Sequence, residues 1–169
     1  MDFKEKYELA ARLHAYVRDW RGRVLNTVAV MEKEIAQIIS HYFCAEERRD
    51  FFFSEIARFL SYRNKVSILK QILQKDYVFF SREHPDLTKE LEEIGAFRNI
   101  LAHATLDVTD NALRRKPKDA VGFVSFEDGE RVVKVFAEAD FNDWNGRMGN
   151  VSSDIADLKA ILGIPSELS

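Results

Sequence analysis

The sequence predicts a mainly α-helical bundle with a β-hairpin inserted before its closing helix, and three observations carry that reading. Apolar residues recur at spacings of three and four over most of the chain. One short stretch switches to β-branched and aromatic residues around an Asp-Gly turn signal, and the helical period then returns in a final run. The chain has 169 residues, 46% of them apolar and 31% charged, which is enough to bury a core and unlike a disordered chain. We read residues 1–169 as a single domain, with a helical core over 1–106, a hairpin over 120–137 and a closing helix over 141–162.

The first helix is expected from about Phe3 to Tyr42, with an apolar stripe of Leu9, Leu13, Tyr16/Val17, Trp20, Val24, Val28, Met31, Ile35, Ile38 and Tyr42. Gly22 weakens it by about 1 kcal/mol relative to alanine and could allow a bend. So long a stripe needs a partner along much of its length, which a bundle or a dimer would supply. Asp50 is expected to cap a short helix carrying Phe52, Ile56, Phe59 and Leu60, and Ser61 to cap the next, with Val66, Leu69, Ile72 and Leu73. Pro85 marks another start, followed by a face of Leu87, Leu91, Ile94, Phe97 and Leu101. Glu90, Glu92 and Glu93 lie near its front, where the helix dipole favours them.

Residues 121–126 and 131–136 read as strands flanking Glu127-Asp128-Gly129-Glu130. The seam Phe141, Trp144, Met148, Val151, Ile155, Leu158 and Leu162 reads as the closing helix, softened by Gly146 and Gly149 and stopped by Gly163 and Pro165.

Composition excludes several classes. Uncharged apolar runs such as Val28-Ala29-Val30-Met31 are too short to span a bilayer, and the mixed charge of Met1 to Lys6 predicts no signal peptide, so no membrane partner is expected. The lone Cys44 permits no internal disulfide and suits a reducing, cytoplasmic location. A net charge of −3 argues against coating nucleic acid by bulk electrostatics. Residues 1–85 nevertheless balance at +3 and residues 86–169 at −6, so an anionic partner would need a local basic site.

There is no Gly-rich phosphate loop, nucleophile elbow, His-Glu-x-x-His or Cys-x-x-Cys, and neither metal nor cofactor is expected. His41 and Cys44, with Glu46 and Glu47 nearby, read as a helix end with a buried thiol, or as a loose metal site. His14 and His84 have no evident partners and read as surface residues.

The segment Arg98-Asn99-Ile100-Leu101-Ala102-His103 is different. Five positions separate Arg98 from His103, about 140° around a helix and about 7.5 Å along it, so one copy cannot bring both side chains onto one face. Asn99 and His103, four apart, do share one. Two copies across a two-fold axis would line a cleft with paired arginines, asparagines and histidines, a set suited to phosphodiester chemistry. Arginine's fork binds phosphate and offsets developing charge. Histidine moves protons near neutral pH, and asparagine can orient the imidazole or hold a ribose hydroxyl.

At these residues the chain resembles the HEPN superfamily, whose signature is an arginine, a polar residue, a few mostly apolar positions and a histidine. Arg98, Asn99, Ile100-Leu101-Ala102 and His103 match it, in the context of a long first helix and a motif at the end of a later one. The resemblance covers roughly residues 1–106. It implies a HEPN-like bundle of four or five helices, a homodimer with facing motifs, and a metal-independent endoribonuclease of the toxin, abortive-infection or stress-effector kind, with an antitoxin or other protein partner. By that resemblance Arg98 binds the scissile phosphate, His103 acts as general base or acid on the ribose 2′-hydroxyl, and Asn99 supports both.

Other readings stay open. Arg98 could pair with Glu92 or Glu93 while His103 caps the helix C-terminus, giving a non-catalytic helical dimer that binds RNA, a nucleotide or a protein through the same cleft. The closing helix alone could serve as a protein-interaction module. Arg114, Arg115, Lys116 and Lys118 form either a solvated loop that keeps an edge strand soluble or an RNA-tracking strip beside the motif. Phe51-Phe52-Phe53 and Phe79-Phe80 suit a core or dimer interface, or a base-stacking surface.

Overall fold

Helix α1 runs unbroken over Phe3–Phe43 in the computed structural model, which describes residues 1–115 and 119–165. It is about 60 Å long, and Asp2 Oδ1 caps it by accepting the Glu5 N–H at 2.7 Å. Leu13, Val17, Trp20, Val24, Val28, Met31, Ile35 and Ile38 are all buried within this one chain. The stripe is therefore covered without a second copy, and helix length alone does not ask for a dimer. Gly22 lies inside α1, and a Cβ there would meet nothing within 4 Å.

Helix α2 (Glu46–Glu55) begins earlier than its predicted cap. Ala45 is the extended N-cap residue, and Asp50 lies in the middle of the helix. Glu46 and Glu47 favour this earlier start, because acidic side chains in a first turn complement the orphan N–H groups. The helix also stops sooner than expected. Ile56 leaves helical geometry, and a 3₁₀ turn over Ala57–Phe59 follows, so Ile56 and Phe59 are exposed instead of forming a core face.

Ser61 caps α3 (Tyr62–Asp76) as its sequence position predicts, its Oγ accepting the Asn64 N–H at 3.2 Å. The buried face holds Val66, Leu69, Ile72 and Leu73. It also holds Lys65, whose ammonium donates to Glu32 at 3.0 Å and to the Arg58 carbonyl at 3.1 Å. A short α4 (Val78–Glu83) follows, with Phe80 buried and Phe79 exposed. Pro85 and Asp86 form the turn into α5 (Leu87–His103), whose Leu87, Leu91, Ile94, Phe97 and Leu101 are buried as a single face.

The β region is larger than the predicted hairpin. Strands β1 (Thr105–Leu106), β2 (Val121–Glu127) and β3 (Glu130–Phe136) form an antiparallel sheet in that order, with a short α6 (Asp110–Leu113) between the first two. Asp128 and Gly129 both have positive φ, 51° and 85°, as a two-residue turn matched to the twist of a hairpin requires. Thr105 and Leu106 pair with Val124 and Phe123. Sequence periodicity misses this strand because two residues are too few to show alternation.

Helix α7 (Glu138–Ile161) starts ahead of Phe141, where the Asp140 carboxylate accepts the Ala137 N–H at 2.7 Å. Its seam is buried at Phe141, Met148, Val151, Ile155 and Leu158 and half-buried at Trp144 and Leu162. Gly163 ends it at φ 67°, with Gly163 N–H donating to Ala160 and Ile164 N–H to Lys159, the paired bonds of a Schellman close.

The chain divides into two compact units, Met1–Asn26 with Ala96–Gly146, and Thr27–Gly95 with Arg147–Ser169. The first is built on aromatic rings. Trp20 stacks on Phe141 at 4.7 Å, and Phe97 stacks on Trp144 at 4.4 Å. Phe136 meets Phe97, Phe123 and Phe141 at centroid distances of 5.3 to 5.8 Å. The second unit packs α3 closely on the early part of α5. The Tyr62 hydroxyl donates to the Leu91 carbonyl at 2.9 Å, and its ring lies where a Cβ on Gly95 would come within 2.6 Å.

Gly95→Ala is therefore expected to cost about 1–3 kcal/mol, since the anchored Tyr62 ring cannot retreat without losing its bond. Gly22→Ala should instead stabilise by up to about 1 kcal/mol, because its site is open and helical. Urea unfolding of the two variants checks the opposite signs. A chain ending near Lys118 would lack Phe123, Phe136, Phe141 and Trp144, and should be insoluble or molten. Cooperative melting close to the full-length temperature would refute that expectation.

Candidate functional site

The candidate motif occupies the last turns of α5, where the chain leaves the helix for the sheet. Phe97 fixes this end from below, fully buried between Phe136 and Trp144. The next residue, Arg98, is half-buried, and Asn99 and His103 are exposed. Because the helix is unbroken from Leu87 to His103, Asn99 and His103 lie one turn apart on one face. Arg98 Nη1 donates to Asn99 Oδ1 at 3.0 Å. Asn99 thus connects the arginine to the face that carries the histidine, although one copy does not place Arg98 and His103 side by side.

The acidic residues that could have occupied Arg98 have other partners. Glu93 is bound by Arg147, which also donates to Glu90 at 2.6 Å, and these bonds hold the Arg147 guanidinium above its usual pKa. Glu92 lies 3.7 Å from Lys70. Among the described residues, Arg98 makes no ion pair and His103 makes no hydrogen bond.

The helix C-terminus is instead satisfied by a residue that sequence reading passed over. Arg21, on α1, donates through Nη2 to the Ala104 carbonyl at 2.7 Å, immediately after His103. Its guanidinium carbon sits 5.5 Å from the centre of the Phe123 ring. Nε is buried without a partner among the described residues, and burial pulls the group below its usual pKa. The available signal was positional. Arg21 stands four after Val17 and three before Val24, on the flank of a buried stripe where a cation must find an internal acceptor.

Arg21 also borders an open depression of about 500 Å³ on the same face of α1, lined by Ala11, His14, Ala15, Val17 and Arg18 as well. The predicted basic strip is only partly placed. Arg114 closes α6 through its backbone N–H, and both Arg114 and Arg115 are exposed, while Lys116 and Lys118 lie outside the described residues. Lys6 pairs with Asp110 at 3.0 Å, and this hydrogen bond holds the Asp110 carboxyl below its usual range.

Among the described residues, the group with metal-ligand character is His84, Asp154 and Asp157, whose candidate ligand atoms lie within 4.8 Å of one another. His84 is not a partnerless surface residue: its Nδ1 lies 2.9 Å from Asp154, and its ring stacks on Phe80. That polar contact and the ring contact account for its position without an ion. His41 is pushed below its usual pKa, first by burial and then by Arg49. It and the half-buried Cys44 belong to no comparable three-ligand group among the described residues. Of the phenylalanine runs, Phe80 is buried, Phe52 and Phe53 are half-buried, and Phe51 and Phe79 are exposed. Among the described residues, no helix is long and apolar enough to cross a membrane.

Comparison with protein-family models, curated proteins and solved structures gives no match for this chain.

Arg21→Ala should destabilise the protein by about 1–3 kcal/mol, because the Ala104 carbonyl loses its donor. Arg21→Lys, which keeps the charge but not the planar fork, should fall between. Urea unfolding of both variants tests this, and a neutral Arg21→Ala would show that the helix end finds another donor.

Proposed function

We propose that the protein is a HEPN-type endoribonuclease acting as a homodimer, with a composite site made from Arg98, Asn99 and His103 of each copy. The observation that carries this reading is the uncommitted state of the motif. Among the described residues Arg98 has only its neighbour Asn99 as partner, and Arg21 takes the helix-capping role that would have made His103 structural. This favours the catalytic reading over a non-catalytic binding dimer. The dimer is supported by the motif's spacing, which needs a second copy to bring arginine and histidine together.

In this mechanism the two copies supply complementary proton transfers. One His103 removes the proton from the ribose 2′-hydroxyl, whose oxygen attacks the adjacent phosphorus. The P–O5′ bond breaks, and the leaving oxygen takes a proton from the other copy's imidazolium. Arg98 binds the non-bridging oxygens and offsets the charge that grows on them. Asn99 holds the Arg98 fork through its carbonyl oxygen and leaves its amide N–H₂ for the substrate or for His103. The products are a 2′,3′-cyclic phosphate and a 5′-hydroxyl. The nucleophile belongs to the substrate, so the reaction does not require a metal-bound water.

Sedimentation equilibrium should give twice the 19.6 kDa chain mass. RNA with single-stranded loops should be cleaved in EDTA to cyclic-phosphate ends, and DNA should resist. His103→Ala and Arg98→Ala should each lower the rate by about 10²–10⁴, and Asn99→Ala should lower it less, all with melting temperatures within a few degrees of the parent. A strict monomer would remove the composite site. Parent-like cleavage by His103→Ala, or unfolding of Arg98→Ala, would return the segment to a structural helix end.

A further inference from the structure

We infer that the face of α1 formed by His14, Arg18 and Arg21 holds the phosphodiester backbone of the RNA strand, an assignment that rests on the ribonuclease reading above. These residues stand four and three apart, so they share one side of the helix. They border the depression of about 500 Å³ described above, whose lining among the described residues includes no carboxylate. His14 to Arg21 spans about 10 Å along the axis, so an extended strand can present more than one phosphate to it.

Charge pairing distinguishes this face from three other cations of the same unit. Lys6 faces Asp110, Arg23 faces Asp19 at 3.0 Å, and Arg131 faces Asp107 at 3.7 Å. Arg18 and Arg21 have no carboxylate partner among the described residues. Arg21 is the more telling of the two. It is half-buried, and among the described residues its Nε has no acceptor and its one hydrogen bond goes to a neutral carbonyl. A desolvated cation without a counter-ion is costly, and a bound phosphate would supply that counter-charge. The group is also held in place beforehand by the Ala104 carbonyl and the Phe123 ring, so little ordering remains for a ligand to impose.

Position supplies the link to the motif. The carbonyl that anchors Arg21 belongs to Ala104, the residue after His103. The cationic face of α1 therefore reaches the end of α5 where the proposed chemistry lies. Backbone contacts of this kind position a strand without reading its sequence.

Fluorescence anisotropy with a labelled oligothymidylate, which lacks the 2′-hydroxyl and is not consumed, tests this across 25–200 mM KCl. The same titration is run with a single-stranded RNA on the His103→Ala protein. Arg18→Ala and His14→Ala remove exposed side chains and should keep the parental melting temperature. Each should weaken both oligonucleotides about 3–10-fold, and Arg18→Ala should flatten the salt dependence by about 0.7 in log–log slope, the loss of one single-strand phosphate contact. Arg23→Ala, on the same helix but paired with Asp19, should leave affinity unchanged. If the parent cleaves RNA and the Arg18 and His14 variants bind with parental affinity and slope, the strip is wrong and the ribonuclease reading stands. If those variants lose affinity but the parent cleaves nothing, the strip stands as a nucleic-acid contact and the ribonuclease reading falls. A parent that neither binds nor cleaves overturns both.

Discussion

The first unit depends on the ring cluster centred on Phe97, Phe136 and Phe141. Phe97 belongs to α5, Phe136 to the last strand and Phe141 to the start of α7, while Trp20 reaches them from α1. Large rings bury much apolar area with few torsions to freeze, so a few of them can fix several elements at once. The residue after Phe97 is Arg98, so the packing that holds the ring also sets where the motif's arginine begins. The candidate chemistry is thus carried on a helix, whose own hydrogen bonds hold the spacing from Arg98 to His103, and not on a loop.

Arg21 shows how a helix end can be completed from a distance. The last carbonyls of a helix need donors, and the obvious local candidate here is His103. A guanidinium 83 positions earlier in the chain does that work, and the imidazole is left exposed. The same contact leaves a half-buried cation with no carboxylate partner among the described residues. One interaction thereby joins the stability of the helix end to the electrostatics of the surface beside it.

What the sequence makes legible is local and periodic. The α1 stripe, the Ser61 cap, the α5 face, the Asp128-Gly129 turn and the α7 seam each follow from spacings of two, three or four residues, or from one residue's backbone preference. Polar side chains are legible only when their partner is near in sequence. Lys65 with Glu32, His84 with Asp154 and Arg21 with Ala104 join distant segments, and no local pattern marks them. Asp50 misleads for a related reason: an acidic residue near a helix start is equally at home as a cap or inside the helix, and Glu46 and Glu47 had already begun the turn. At the motif, residue types and spacing are legible, but the commitments of Glu90 and Glu93 to Arg147 depend on a helix more than fifty positions away.

The order of the pieces along the chain bears on how the protein is made. The first unit is discontinuous: residues 1–26 emerge ahead of their partners at 96–146, which follow only after the whole intervening segment of the second unit. During synthesis at about 5–20 residues per second, the first half of α1 waits several seconds for the rings that cover it. The motif helix leaves the ribosome before the strands and the Phe141 helix turn that fix its end. A nascent chain therefore carries Arg98 and His103 for some time without the packing that orders them, and that packing forms only once Phe136, Phe141 and Trp144 have emerged.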